Sequence, residues 1–305
     1  MPKKKSKKNN RLIFSHNHLV IVGIGILSLL LLYRYVPYYI FFSHHNVAET
    51  RTNTQKEIPQ EVKIKHPQSD EQISYHIPIL TYHYVEYPKD ARDTIRQSLN
   101  IYPYTFEAQL KTLLSGGYTF MTMADVADVI DGKKTLPSKP VVLTFDDGYG
   151  DFYTDVFPIL KKYKEVKAVA YVVPGFLDHP NYLTTSQVKE IASYSHIELG
   201  AHTMHHVYLK DMPALLAQRE IVASKYALED IIHKAVVSFA YPYGAFDNNS
   251  IELVKKANFR TAVSTIAGLG ASATNRYFIF RVRPGYMTGQ ELMNFLNHPP
   301  YNPLN

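Results

Sequence analysis

Beyond about residue 75, short apolar runs alternate with stretches whose apolar positions recur at helical spacing. The runs cover 77–85, 141–145, 168–173, 197–201, 236–240, 260–264 and 278–282. The amphipathic stretches cover 106–114, 152–163, 185–194, 213–232, 251–257 and 290–296. Continuous apolar runs of about 4–8 residues are the pattern of strands buried on both faces. Their alternation with helices predicts a mainly parallel sheet with helices outside it. Seven runs predict an α/β fold of the distorted (β/α) barrel kind rather than an open sheet. In such barrels the chemistry gathers at the C-terminal ends of the strands. Thr105, Thr184 and Asp247 stand where helix N-caps are expected.

A different pattern precedes this region. Residues 19–32 are apolar apart from Gly23, Gly25 and Ser28, and Tyr33, Arg34, Tyr35, Tyr38, Tyr39, Phe41 and Phe42 follow. With Arg34 snorkelling toward the interface, the segment reaches the roughly 20 residues that a spanning helix needs. The Tyr/Phe cluster suits an aromatic belt at the far boundary. Lys3, Lys4, Lys5, Lys7, Lys8 and Arg11 precede it, and no lysine follows closely. The asymmetry predicts a basic cytosolic head at 1–18, a transmembrane signal anchor at 19–42 and a domain outside the cell. The alternative is secretion after signal cleavage, but no small-x-small site follows Leu32. Residues 43–75 are polar, with Pro59 and Pro67, and read as an extended linker. The folded domain is expected over 76–300.

Composition narrows the chemistry. The six cations of the head equal the whole formal excess of +6, so the remainder carries 27 basic against 27 acidic residues. That balance predicts no nucleic-acid partner. The absence of cysteine excludes disulfides and thiolate metal sites, which leaves His, Asp and Glu as ligands.

The run 141–145 ends in Asp146-Asp147-Gly148, and the run 197–201 in His202-Thr203-Met204-His205-His206. Asp-Gly by itself is ordinary turn chemistry. Two adjacent carboxylates repel, however, and a cation holding one of them would relieve the repulsion. Its neighbour would then serve as general base toward the attacking water. His202 and His206 are four apart, and on a helical turn they would share a face and converge on one ion. His205 would point elsewhere. One carboxylate and two imidazoles make the ligand set of a catalytic zinc-type site with an open position. A third strand end carries Tyr241-Pro242-Tyr243-Gly244. There the Tyr243 N–H can face an oxyanion and the rings can stack on a sugar, while a tight aromatic turn plugging the barrel end explains the same residues.

Thr-Phe-Asp-Asp-Gly at 144–148, His-Thr-x-x-His at 202–206 and Tyr-Pro-Tyr-Gly at 241–244 together resemble the polysaccharide deacetylase (NodB homology) family. The likeness runs roughly from Pro78 to Gly285, with the homology core over about 139–305. It implies a distorted (β/α) barrel that removes acetyl groups from carbohydrate with a divalent metal. It carries the base role to Asp146, the metal-ligand role to Asp147, His202 and His206, and oxyanion stabilisation to the Tyr243 backbone. Tyr241, Pro242 and Tyr243 are the expected substrate-binding residues. The segments 78–84, 106–118 and 280–283 resemble the branch acting on poly-β-1,6-N-acetylglucosamine of biofilms.

Two departures stand out. Many members carry an arginine that orients the base where this chain has Ala240, and a histidine acid where it has Arg281-Val282-Arg283-Pro284. Arg281 and Arg283 are candidates for the missing charge, but arginine does not donate a proton. His83 and His298 are available as acids by residue type alone, so the proton donor stays unassigned.

The expected activity is metal-dependent deacetylation of an extracellular N-acetylglucosamine polysaccharide, with slow turnover. The ion is expected to be zinc, with cobalt, nickel, iron or manganese also suited to the donor set. Expected partners are the polysaccharide, the membrane and the exopolysaccharide synthesis and export machinery. The alternatives are a peptidoglycan or chitooligosaccharide deacetylase, an O-acetyl esterase, and a carbohydrate-binding barrel without turnover.

Overall fold

The computed structural model describes residues 74–298 except Lys89 and Ala91. The expected head (1–18), anchor (19–42) and all but the end of the linker lie outside the described residues. Among the described residues, no helix is long and apolar enough to cross a membrane.

The strands, in chain order, are β1 (Ser74–His76), β2 (Ile79–Tyr82), β3 (Tyr84–Val85), β4 (Asn100–Ile101), β5 (Thr119–Met121) and β6 (Pro140–Phe145). They continue with β7 (Ala168–Val172), β8 (Ile197–Ala201), β9 (Ser238–Ala240), β10 (Thr261–Ala267), β11 (Gly270–Ser272) and β12 (Ile279–Arg281). The helices are α1 (Thr94–Leu99), α2 (Pro103–Ser115), α3 (Met123–Ile130), α4 (Phe157–Lys162), α5 (Thr185–Ser193), α6 (Ala214–Ile232), α7 (Asn248–Lys256) and α8 (Gly289–Asn297).

Eight strands form one sheet in the order β12-β10-β9-β8-β7-β6-β2, with β5 also paired to β6, and all the pairings are parallel. Val282 nearly closes it into a barrel. Its amide donates to the Ile79 carbonyl at 2.9 Å, and its carbonyl accepts from the Thr81 amide at 2.9 Å. Each of the seven apolar runs supplies one barrel strand. The eighth, β5, has three residues, too few for a periodicity to register.

Side chains alternate across this sheet, and the two sets bury differently. Leu80, Tyr82, Val141, Leu143, Phe145, Ala170 and Val172 pack outward against Phe106 and Leu110 of α2, Ile191 of α5, Ile221 of α6 and Leu292 of α8. Ile79, Val142, Val169, Tyr171, Ala240, Val263 and Ile279 face inward and form a separate core. Met123, Val126 and Val129 of α3 belong to that inner core. The Ala124 amide donates to Glu198 near the start of β8, so α3 plugs the barrel at its N-terminal end. The opposite end is left for polar groups.

Local sequence sets the helix ends. Thr184 and Asp247 cap α5 and α7, each in a reciprocal capping box. Thr105 does not cap α2, because Pro103 supplies its first turn and Thr105 is buried inside it. The stretch 152–163 is not one regular helix. Pro158 lacks an amide, and the turn before it widens into a π-helix over Phe152–Val156.

Gly200 shows how closely the barrel interior is filled. A Cβ there would lie 2.4 Å from Tyr171 Cε1 and 2.8 Å from Ser238 Oγ. Gly200→Ala is expected to destabilise the domain by about 1–3 kcal/mol through overpacking. Urea unfolding checks this, and an unchanged midpoint would mean that the Tyr171 ring yields without cost.

Candidate active site

The inward parity of four barrel strands carries their chemistry into the open mouth. Val142 and Thr144 are followed by Asp146, Ile79 and Thr81 by His83, Ile279 by Arg281, and Glu198 and Gly200 by His202. Asp146 and His202 are buried, at 3% and 2% exposure. Buried ionisable groups of this kind require partners.

Asp146 receives a guanidinium fork. Arg281 Nη1 donates to its Oδ1 at 2.8 Å and Nη2 to its Oδ2 at 2.7 Å. Arg281 is itself fixed, donating through Nη1 to Thr144 Oγ1 at 3.0 Å and through Nε to the Ser264 carbonyl at 2.8 Å. Burial works against the charge on Asp146, but Arg281 outweighs it and keeps the carboxyl below its ordinary range. Asp146 is therefore ionised at neutral pH and oriented.

Asp147 leaves the strand in a left-handed conformation, φ 74°, followed by Gly148 at φ 71°. The reversal turns its carboxylate away from Asp146 and onto the two histidines. Its Oδ1 lies 3.1 Å from Nε2 of both His202 and His206. These three donor atoms lie within 4.8 Å of one another. His202 Nδ1 is 2.8 Å from the Ala240 carbonyl. A carbonyl only accepts, so Nδ1 carries the proton, and in the neutral ring the Nε2 lone pair faces Asp147. Burial opposes charge on the ring, but the Asp147 carboxylate raises the pKa of His202 in the absence of a cation. Asp147 Oδ1 is buried without a hydrogen-bond partner. Lone pairs this close repel unless a positive charge sits among them. The donor set therefore fits a divalent cation.

The histidines do not converge on a helical face. Thr203 and His206 have positive φ, 58° and 54°, and the loop folds back as a tight turn. His205 points away, as expected, and ties the turn to α6 through Nδ1 and Glu220 Oε1 at 2.8 Å. Tyr243, also left-handed at φ 60°, places its hydroxyl 3.1 Å from His206 Nδ1. Its side chain is 65% exposed.

Residues 133–262 match the polysaccharide deacetylase family. The chain is 30% identical over 207 residues to YxkH of Bacillus subtilis, which carries a polysaccharide deacetylase name, covering 68% of this chain and 71% of the relative. The chain belongs to the polysaccharide deacetylase family. It is also 26% identical to a poly-beta-1,6-N-acetyl-D-glucosamine N-deacetylase of Staphylococcus aureus, over 58% of this chain and 65% of the relative's length. The deacetylase PplD of Streptococcus pyogenes, solved with acetate, superposes with a TM-score of 0.68 at 28% identity. That match covers 75% of this chain and all of PplD.

For this deacetylase, the structure gathers Asp146, Asp147, His202, His206 and Tyr243 in one mouth. Two of the three residues expected to bind substrate are buried. Tyr241 is fully buried, with its hydroxyl donating to the Tyr277 carbonyl at 2.9 Å. Pro242 is buried as well. Both are consumed in packing the turn, and Tyr243 alone of the three presents a ring. Arg281, not Arg283, supplies the charge that Ala240 lacks. His298 follows α8 at its exposed C-terminal end.

His83, which the sequence offered only by residue type beside His298, stands in the mouth. Its Nε2 is 4.0 Å from Asp146 Oδ2, and its Nδ1 is buried without a partner. Burial dominates and holds its pKa below the ordinary histidine value, against the opposing pull of Asp146 and Asp147. The available signal was its place two positions after Thr81, at the end of the first barrel strand. What the sequence hid is that this strand lies beside the last one.

Breaking one partner of the Arg281–Asp146 pair strands a buried charge. Arg281→Met is expected to cost about 3–5 kcal/mol, and Arg281→Met with Asp146→Leu to recover most of it. Denaturant unfolding of both variants checks this, and a single variant within about 1 kcal/mol of wild type would contradict the pairing.

Proposed function

We propose that this chain is a metal-dependent N-deacetylase of N-acetylglucosamine polysaccharide. The observation that carries the reading is the division of labour between adjacent aspartates. Asp147 joins two imidazoles as a ligand set, and Asp146 is kept ionised beside them by Arg281.

Asp147, His202 and His206 would hold the ion, with zinc the leading candidate and cobalt, nickel, iron and manganese also suited. A divalent cation there supplies Lewis acidity toward the acetamide carbonyl and the attacking water. Asp146 takes a proton from that water as its oxygen bonds to the carbonyl carbon. The Tyr243 amide donates to the developing oxyanion. As the carbon–nitrogen bond breaks, His83 delivers a proton to the leaving nitrogen, and the products are acetate and a free amine. Protonation of the amine makes the polymer cationic, which favours adhesion to anionic surfaces.

The S. aureus relative's name supports poly-β-1,6-N-acetylglucosamine as the polymer. A single-pass anchor at 19–42, with the domain outside the cell near the polymer's synthesis and export machinery, completes the reading. Its support is the apolar run after a basic head.

Purified wild type is expected to hold one divalent ion per chain and to release acetate from β-1,6-linked N-acetylglucosamine oligomers. Asp146→Asn and His83→Gln should keep the ion and lose about 100-fold or more in rate. Asp147→Ala and His206→Ala should lose the ion. Elemental analysis with an acetate assay checks all four. Bound metal with no acetate from any oligomer would turn the reading into a binding barrel, and metal retained by Asp147→Ala would overturn the site.

A further inference from the structure

Tyr87, Tyr102, Tyr104 and Tyr286 come together from three separate segments beside the barrel mouth. Tyr87 and Tyr102 stack at 5.6 Å, Tyr102 and Tyr104 at 5.4 Å, and Tyr102 meets Tyr286 at 5.8 Å. Tyr87, Tyr104 and Tyr286 are 58%, 61% and 53% exposed. Three large rings left in water at one place are unusual for a surface that serves no contact.

The cluster is continuous with the catalytic residues. Tyr87 lies four positions beyond His83 and Tyr286 five beyond Arg281. Between His83 and Tyr87, the Tyr84 ring stacks at 4.0 Å on Tyr149, two positions after Asp147. The segments of Tyr87, Tyr149 and Tyr286 leave the C-terminal ends of β2, β6 and β12, and Tyr102 and Tyr104 stand at the start of α2, stacked on Tyr87, so the rings gather toward the same end of the barrel as Asp146.

The platform is also held rigid. Gln109 donates to the Gly285 and Met287 carbonyls on either side of Tyr286, at 2.8 and 2.9 Å. Tyr82 Oη donates to Gln109 Oε1 at 3.0 Å. The Val85 amide donates to buried Asp151 at 2.6 Å. Asn100 spends its side-chain amide on the Glu86 backbone. A cleft of about 420 Å³ opens among Tyr87, Pro88, Gln97, Asn100, Tyr102 and Tyr286. Its size falls in the range of about 300–1,000 Å³ typical of ligand sites.

From these observations we infer that the tyrosine cluster is a carbohydrate subsite. It stacks on a pyranose ring of the polymer some residues away from the sugar being deacetylated. The occupant is the neutral N-acetylglucosamine chain: the C–H face of a pyranose matches an aromatic face, and phenolic hydroxyls at the rim reach its ring substituents. On the segment between Tyr87 and Tyr102, Arg96 is paired with Glu86 and Arg92 with Asp90. Fixed rings bind with little ordering cost. This inference rests on the carbohydrate reading above, but its test does not depend on turnover.

Tyr104→Ala with Tyr286→Ala truncates two exposed rings, and circular dichroism verifies the fold. Titration calorimetry of the full chain with β-1,6-linked N-acetylglucosamine oligomers is expected to show affinity rising with length in wild type. The double variant should bind the hexamer about tenfold more weakly, with a loss that grows with length. Equal hexamer affinity in the two proteins overturns the subsite, whatever the acetate assay gives. Conversely, a weakened hexamer with no acetate release keeps the subsite and rejects the deacetylase.

Discussion

The fork between Arg281 and Asp146 joins the last barrel strand to the strand that carries the paired aspartates. Both groups are almost fully buried, and neither would be tolerated there alone. The fork therefore does two things at once. It ties β12 across the mouth to β6, and it keeps one carboxylate charged and aimed beside a second. The near-closure of the barrel at Val282 brings His83 and Arg281 into the same mouth, because β2 and β12 become neighbours. Without that closure, Asp146 would lack its counter-ion and His83 its position.

Side-chain alternation converts this architecture into chemistry. The outward set of each strand is apolar and meets the helices. The inward set is mainly apolar at the α3 end, where Glu198 accepts from the Ala124 amide and the Ser238 hydroxyl, and ionisable at the other. Left-handed backbone at Asp147, Thr203, His206 and Tyr243 then redirects residues that a straight strand or helix would have sent elsewhere. Such conformations cost energy and concentrate where a site over-determines them.

Much of this was legible in the sequence, for specific reasons. Long apolar runs marked the seven main barrel strands, because strands buried on both faces leave no ambiguity of pattern. Asp146, Asp147, His202 and His206 were visible because they interrupt such runs at their ends. The rest depended on contacts between distant segments. Arg281 and Asp146 are separated by 135 positions, and nothing local to either announces the other. Tyr241 and Tyr243 look alike in a turn motif, yet one fills the core and the other faces out, since burial is decided by the packing of Phe239 and Phe246 around Tyr241. The histidine pair was expected to meet on a helix and meets through a turn, because residue spacing fixes proximity without fixing backbone. The anchor at 19–42 lies outside the described residues.

The central claim is that a cation sits at Asp147, His202 and His206 while Asp146 stays on Arg281. Anomalous diffraction at the metal edge from crystals of the purified protein tests it most directly. The account predicts one strong peak at about 2.0–2.2 Å from an Asp147 oxygen and from both Nε2 atoms, with the Arg281–Asp146 fork intact. A peak bound by Asp146, or an ion held away from the two histidines, would contradict it.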